Sequence, residues 1–408
     1  MATQQMTATA IPDHVPASAV LPFDPWSGME DGPHEALERV RPYGPVVYSP
    51  RHHIAGFAPN GCWMVTRSRQ ARKLLMDSKR FSSQNTTGIP QALGESFQLA
   101  PIESDAPLHM AARSALNPLF SPKAMKALED KIRERTNGLI DRALEKGEVD
   151  FVADFAKILP SEIFLDLIGL PHSRLAEFLE WEEMIMGATD VMIRVQGLQA
   201  VSSYLREEIR ARADNPTDDV LSTLVHSERN GVKLSESDAL GTSILLYIAG
   251  LDTVVNTLCW QFRHLAMTPA DQEKLRAEPE KIAKAVEELL RAFSIVSLTR
   301  IVTEDLEFEG IQMKKGDVVS IPTPLCSRDP AEFENADVVD LDRGASRHFA
   351  FGFGPHICLG MHLARVEMNV AIEQWLARVP PFRIKEGAKI TAHGGAVLSI
   401  DTLPLVWS

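Results

Sequence analysis

The stretch Phe351 to Gly360 reads FGFGPHICLG, and no other ten residues constrain the chain as much. Three glycines and a proline surround one cysteine, Cys358, directly ahead of the helical pattern LGMHLARVEMNVAIEQWLARV. Glycine lets a backbone approach closely and turn sharply. A helix N-terminus favours negative charge on a sulfur placed there. The residue types therefore describe a socket for one thiolate, whereas an isolated Cys-x-Gly would mean no more than a buried cysteine and a turn.

The rest of the sequence narrows the setting. The 408 residues carry 42 Lys and Arg against 55 Asp and Glu, a formal charge of −13, which disfavours nucleic acid and anionic membrane surfaces as partners. The other cysteines, Cys62, Cys259 and Cys326, have no zinc-like or disulfide-like spacing, so a reducing cytoplasm is the expected compartment. Residues 1–25, with Pro12, Pro16, Pro22 and Pro25, read as an irregular segment without a signal-peptide pattern. No repeat, low-complexity tract or linker interrupts the chain, which reads as one domain over 1–408, a monomer.

Periodicity predicts a mainly α fold with a minor β part. Strands are expected near 43–66, followed by a helix in QARKLLMDSKRF. Apolar residues then recur at three and four from about 108 to 294, with helices at 161–170, 172–188, 195–213 and 217–228 and a C-cap at Gly147. The longest helix runs from a cap at Ser235 with Asp238 to Met267 before Pro269, nearly 50 Å at ~1.5 Å per residue. Its apolar run Ile244–Leu251 is broken by Asp252 and Asn256, which predicts a buried helix and no membrane span. Short strands follow residue 295, then a last helix and a strand region ending in LPLVWS.

The ten-residue stretch fits Phe-Gly-x-Gly-x-His-x-Cys-x-Gly, six fixed positions at ~5% background each. It resembles the haem-ligand signature of the cytochrome P-450 monooxygenases, and the resemblance extends over nearly the whole chain, greatest toward the bacterial camphor 5-monooxygenase family. It implies the P-450 fold, a long central helix over haem b with the cysteine loop on the other face, and Cys358 as iron ligand. Thiolate ligation favours O–O cleavage, and a buried thiolate needs backbone N–H donors, for which Gly354 and Gly360 are suited.

Further motifs carry the resemblance. Glu288 and Arg291 in EELLR match Glu-x-x-Arg, and Arg343 in DLDRG completes a buried ion cluster. His109 and Arg113, one helical turn apart in SDAPLHMAARS, match haem-propionate partners together with Arg300 and His356, and Phe351 opens the cysteine loop beside the haem. In AGLDTVVN, Gly250 is suited to open a groove, while Asp252 and Thr253 match an acid–alcohol pair that supplies the two protons O–O cleavage needs.

The family's partners are a 2Fe-2S ferredoxin and a flavin-dependent ferredoxin reductase, and Arg72, Lys73, Lys79, Arg80 and Arg113 would form the docking patch. By the same resemblance the substrate pocket is lined by Phe97, Leu245, Ile248, Ala249, Val296, Ala396 and Val397. Phe97 stands where the camphor enzyme has a tyrosine, so the ketone anchor is missing, and Leu298 replaces an aspartate near a propionate. An apolar pocket of this kind suits a compact terpenoid: a monoterpenoid such as cineole or a camphor-like compound, or a norisoprenoid such as ionone. The methionines of WEEMIMGATDVMI fall in the family's lid region. The expected activity is O2-dependent hydroxylation; a haem-binding sensor or carrier, or a peroxide-driven haem-thiolate enzyme, are the alternatives.

Overall fold

The three-and-four spacing of apolar residues becomes helix wherever it gives a segment one face to bury. The structure, a computed structural model, describes residues 10–29, 32–51, 61–229, 232–344 and 347–407. Its principal helices are α1 (Ser68–Met76), α2 (Leu108–Leu116), α3 (Glu129–Lys146), α4 (Ile158–Ile168), α5 (Leu175–Glu182), α6 (Val191–Asp214), α7 (Glu236–Met267), α8 (Ile282–Ala292) and α9 (Met361–Arg378). The strands that frame the site are β1 (Val46–Ser49), β2 (Cys62–Val65), β3 (Phe81–Ser82), β4 (Glu148–Asp150), β5 (Ser297–Val302), β6 (Val318–Pro322), β7 (Phe382–Ile384) and β8 (Pro404–Trp407). This is the mainly α body with a minor β part that the sequence predicts. Of the expected irregular segment 1–25, residues 10–25 are described, with one 3-10 turn at Ala17–Ala19.

One sheet has the order β1-β2-β6-β5-β3. All of its pairs are antiparallel except β2 with β6, where Val319 stands opposite Trp63. A second sheet, β7-β8-β4, ties the C-terminal strand back to the segment after α3. One boundary differs from expectation. The helix predicted over QARKLLMDSKRF stops at Met76 because Asp77 turns the chain, its side chain accepting from the Arg80 amide at 3.1 Å, and Phe81 enters β3. The helix predicted over 172–188 is present from His172 to Gly187, opening as a 3-10 turn, continuing as α5 and closing as a π turn at Glu183–Gly187, after which α6 starts afresh under the Asp190 cap.

α7 is capped as predicted, Ser235 Oγ accepting from the Asp238 amide at 3.0 Å while Asp238 reaches back to the Ser235 amide. Among the described residues it is the helix long and apolar enough to cross a membrane, but 67% of its most apolar stretch lies inside the protein. Phe262 of α7 stacks on Phe151 at 4.1 Å, and Trp375 of α9 meets both rings edge-on at 5.4 and 5.3 Å. These contacts join α7 and α9 in one core. A smaller apolar cluster brings Leu116 of α2, Leu246 of α7, and Leu359 and Leu363 beside the cysteine together.

Candidate active site

The cysteine loop is shaped by glycine at two places. Gly352 and Gly354 have φ of 72° and 77°, where a side chain is strained, and a Cβ on Gly354 would lie 2.7 Å from the Leu75 carbonyl oxygen. Gly360 is different from expectation: its φ is −82°, and nothing stands within 4 Å of where its Cβ would be, so neither the turn nor the protein's packing demands glycine there. Its amide nevertheless serves the sulfur as expected. Cys358 lies deep in the molecule with its side chain exposed to open space; burial pushes the thiol up, and the Gly360 N–H and the Arg113 and Arg365 charges oppose that rise. The Cys358 amide is anchored on the Phe351 carbonyl at 2.8 Å, and Arg365 covers the Phe351 ring.

Around this loop four basic groups crowd together. The His109 and His356 rings lie 4.0 Å apart, and Arg113 donates to the Ile357 carbonyl at 2.9 Å. Arg300 is buried on β5 with the Thr299 carbonyl as its acceptor, and burial lowers it to about 10. His356 falls to about 3, from burial first and then from Arg300, His109 and Arg113, while its Nε2 meets Ser83 Oγ at 3.2 Å. His109 Nε2 is buried without any partner. Asp105, the near carboxylate, is held by Ser82 and the Ser83 amide. Such a cluster of mutually opposed bases with an orphaned donor fits a dianionic group, and haem carries two propionates. Leu298, on the same strand as Arg300, contributes no charge and packs toward Gly352.

On α7, Ala249 and Gly250 are exposed in the middle of an otherwise buried helix. The helix runs through Gly250 unbroken, so the groove predicted there is an exposed face without a kink. The Thr253 hydroxyl donates to the Ala249 carbonyl at 2.7 Å on that face. Asp252 accepts from Asn256 Nδ2 on Oδ1, its Oδ2 is enclosed and unpartnered, and burial raises it to about 6.

The expected substrate residues fall into two groups. Phe97, Leu245 and Ile248 share one apolar cluster. Val296 and Val397 form a backbone bridge, with the Ser297 amide donating to the Ala396 carbonyl at 2.8 Å, and Ala249 stands exposed on α7. A cavity of about 270 Å³ lies between Phe97, Leu108, Ala112, Leu224 and Thr242, and of the predicted lining it includes Phe97 alone. Gln98 also lines it, with its Oε1 buried and unpartnered, a polar group that the apolar sequence reading missed.

Glu288, Arg291 and Arg343 do come together. Arg291 grips Glu288 with two bonds of 2.8 Å, Arg343 Nε reaches the same carboxylate at 2.9 Å, and both guanidiniums also hold carbonyls between Ser327 and Val338. The predicted basic patch is less positive than its sequence, because Arg72, Lys73 and Arg80 pair with Glu332, Glu309 and Asp77. Arg365, one turn into α9, was missed although it faces the cysteine; only its place seven residues after Cys358 could have signalled it.

The family description "Cytochrome P450" matches residues 181–387. Over 99% of both chains the sequence is 38% identical to "Probable cytochrome P450 127A1" of Sinorhizobium fredii. It is 31% identical to "Pentalenic acid synthase" of Streptomyces avermitilis over 99% of this chain and 100% of that one. Two solved structures, CYP101C1 and CYP101J2, superpose with TM-scores of 0.88 and 0.86, each at 32% identity over 98% of this chain and 100% of theirs.

Proposed function

The chain belongs to the cytochrome P450 family and is a bacterial-type monooxygenase with haem b as its cofactor; from that premise we propose that it hydroxylates a compact, largely apolar terpenoid with electrons from a 2Fe-2S ferredoxin. The observation that carries the reading is the crowd of His109, Arg113, Arg300 and His356 beside an open-faced Cys358. These residues would hold the haem, Cys358 through its sulfur and the four bases through the propionates. When bound, the haem supplies the activation of O2.

The protein's own residues do the rest. The Gly360 amide and the Arg113 and Arg365 charges oppose the rise that burial imposes on the Cys358 thiol. Thr253 presents a hydroxyl on the open face of α7, and Asp252, raised by burial to about 6, is a carboxyl able to take and give a proton one residue away. Phe97, Leu245, Ile248, Ala249, Val296, Ala396 and Val397 would exclude water from the substrate and hold it by shape. Ferredoxin docking would use Arg113 and exposed apolar surface at Met76 and Met110 more than the paired arginines. The whole chain serves as one catalytic domain.

Two measurements test this. The ferrous–carbon monoxide spectrum of the loaded protein should show the red-shifted Soret band of thiolate ligation and lose it in Cys358→Ala. Spin-state titration with cineole, camphor and ionone should then rank substrates. Thr253→Ala should lose product when driven by reductant and O2 but keep it with peroxide; equal loss under both regimes would remove the proton-delivery role.

A further inference from the structure

Asp252 has an acidic neighbour that the sequence did not suggest. Glu182, the last residue of α5, is 6% exposed, and its Oε2 has no hydrogen-bond partner. Asp252 Oδ2 is equally orphaned, because Asn256 occupies Oδ1 and is itself oriented by the Ile400 amide, which donates to Asn256 Oδ1 at 3.1 Å. α5 is tied to α7 by the Tyr247 hydroxyl, which donates to the Phe178 carbonyl at 2.7 Å. Phe178 lies one turn before Glu182, and Tyr247 lies five residues before Asp252, so the tie sets the end of one helix against the middle of the other.

The electrostatics agree with that placement. Glu182 is pushed up to about 8, by burial first and by the Asp252 charge second, with Lys157 opposing and Glu183 adding to the rise. His393 and Lys157 act on Asp252 in the opposite direction to burial. Lys157 is the cation common to both acids; it is partly exposed and bonded to Glu183 at 2.6 Å. Two carboxyls in one low-dielectric region with one shared cation hold a proton between them around neutrality.

We propose that Glu182 is the acid that reloads Asp252, forming the inner half of a proton path from the Lys157–Glu183 rim to the open face of α7. The inference rests on the monooxygenase reading above. In the transfer, carried by water between the two carboxyls, an O–H bond on Glu182 breaks and one forms on Asp252 Oδ2, each water passing on one proton as it takes another, and the resulting Glu182 carboxylate takes its next proton from water at the rim. The pair's charge is unchanged by the transfer, and solvent supplies the proton that the reaction consumes. Glu182 acts through Asp252 and is a positioning and reloading residue.

The test uses the haem-loaded protein. Infrared spectra at pH 7 in H2O and D2O should show a protonated-carboxyl band that shifts on deuteration; the buried Glu367, also raised to about 8, contributes to it, so the diagnostic component is the one lost in Glu182→Gln and kept in Glu177→Gln, an exposed change on the same helix. With reductant and O2, Glu182→Gln should form product about tenfold more slowly, with a larger solvent isotope effect. Its alkaline limb should move to lower pH, because Asp252 is then the acid that titrates. Glu182→Asp should restore the band and part of the rate. Absence of a protonated-carboxyl component from the wild-type minus Glu182→Gln difference spectrum overturns the relay, as does an unchanged rate and pH profile in a variant with wild-type Tm, or failure of Glu182→Asp to restore that component. If the wild type shows the band but forms no product with O2, the monooxygenase reading fails and the acid pair stands.

Discussion

Single atoms decide the cysteine loop. At Gly354 a methyl group would be forced both into the left-handed region and against the Leu75 carbonyl. Gly354→Ala should therefore cost about 1–2 kcal/mol from the backbone alone, and more once the contact is included. Gly360→Ala should leave the melting temperature of the haem-free protein unchanged, since its backbone is ordinary and the space beside it is open. Thermal denaturation of the two variants checks the contrast. Equal losses would mean that Gly360 is held by something other than packing within the chain. Both glycines belong to one motif, yet for Gly354 the reason lies in α1 packed against the loop.

Between elements, two ion clusters set how α8 and α9 sit around the site. Glu287 of α8 bonds Arg365 of α9 at 2.5 Å and His348 at 3.3 Å. Burial alone would raise Glu287, but His348 and Arg365 overcome it and hold the carboxyl at about 2. A depressed carboxylate contributes stability above its unfolded value, 4.5, and that contribution is lost as pH falls toward about 2. Acid denaturation of Glu287→Gln should accordingly be shallower than wild type between those values. The carboxylate is partly exposed, so the difference should be modest. The second cluster is more deeply set. Arg291→Ala would leave Glu288 buried with Arg343 alone and free several carbonyls, a loss of about 3–5 kcal/mol that urea unfolding would read. Sequence spacing paired Glu288 with Arg291 across one helical turn. The family resemblance named Arg343 as the third member; that the cluster holds the Ser327–Val338 carbonyls came only from the fold.

Across the whole molecule, the four bases at the haem site make stability depend on what they meet. Without a dianion, Arg300 is a buried cation among His109, Arg113 and His356, which is costly. Haem binding relieves that cost and stabilises the fold by mass action. Arg300→Gln should raise the melting temperature of the haem-free protein and lower that of the loaded protein. A fall in both would mean that Arg300 is held by interactions within the chain. Haem retention on gel filtration gives an independent reading of the same sign change.

The sequence by itself determined the cysteine loop's turn, the long capped helix and the mainly helical class, and nominated Asp252 and Thr253, because each is written in consecutive residues whose period or spacing has a direct physical meaning. Through the family resemblance it also named the four bases together as propionate partners, without their geometry. Only the tertiary structure set the His109 ring of α2 4.0 Å from that of His356 in the loop, buried Arg300 of β5 beside them, left Gly360 without a packing reason, and enclosed Glu182 within electrostatic reach of Asp252. Those outcomes depend on contacts between segments far apart in the chain. Charge, burial and unmatched hydrogen bonds arise between such segments, and no local pattern records them.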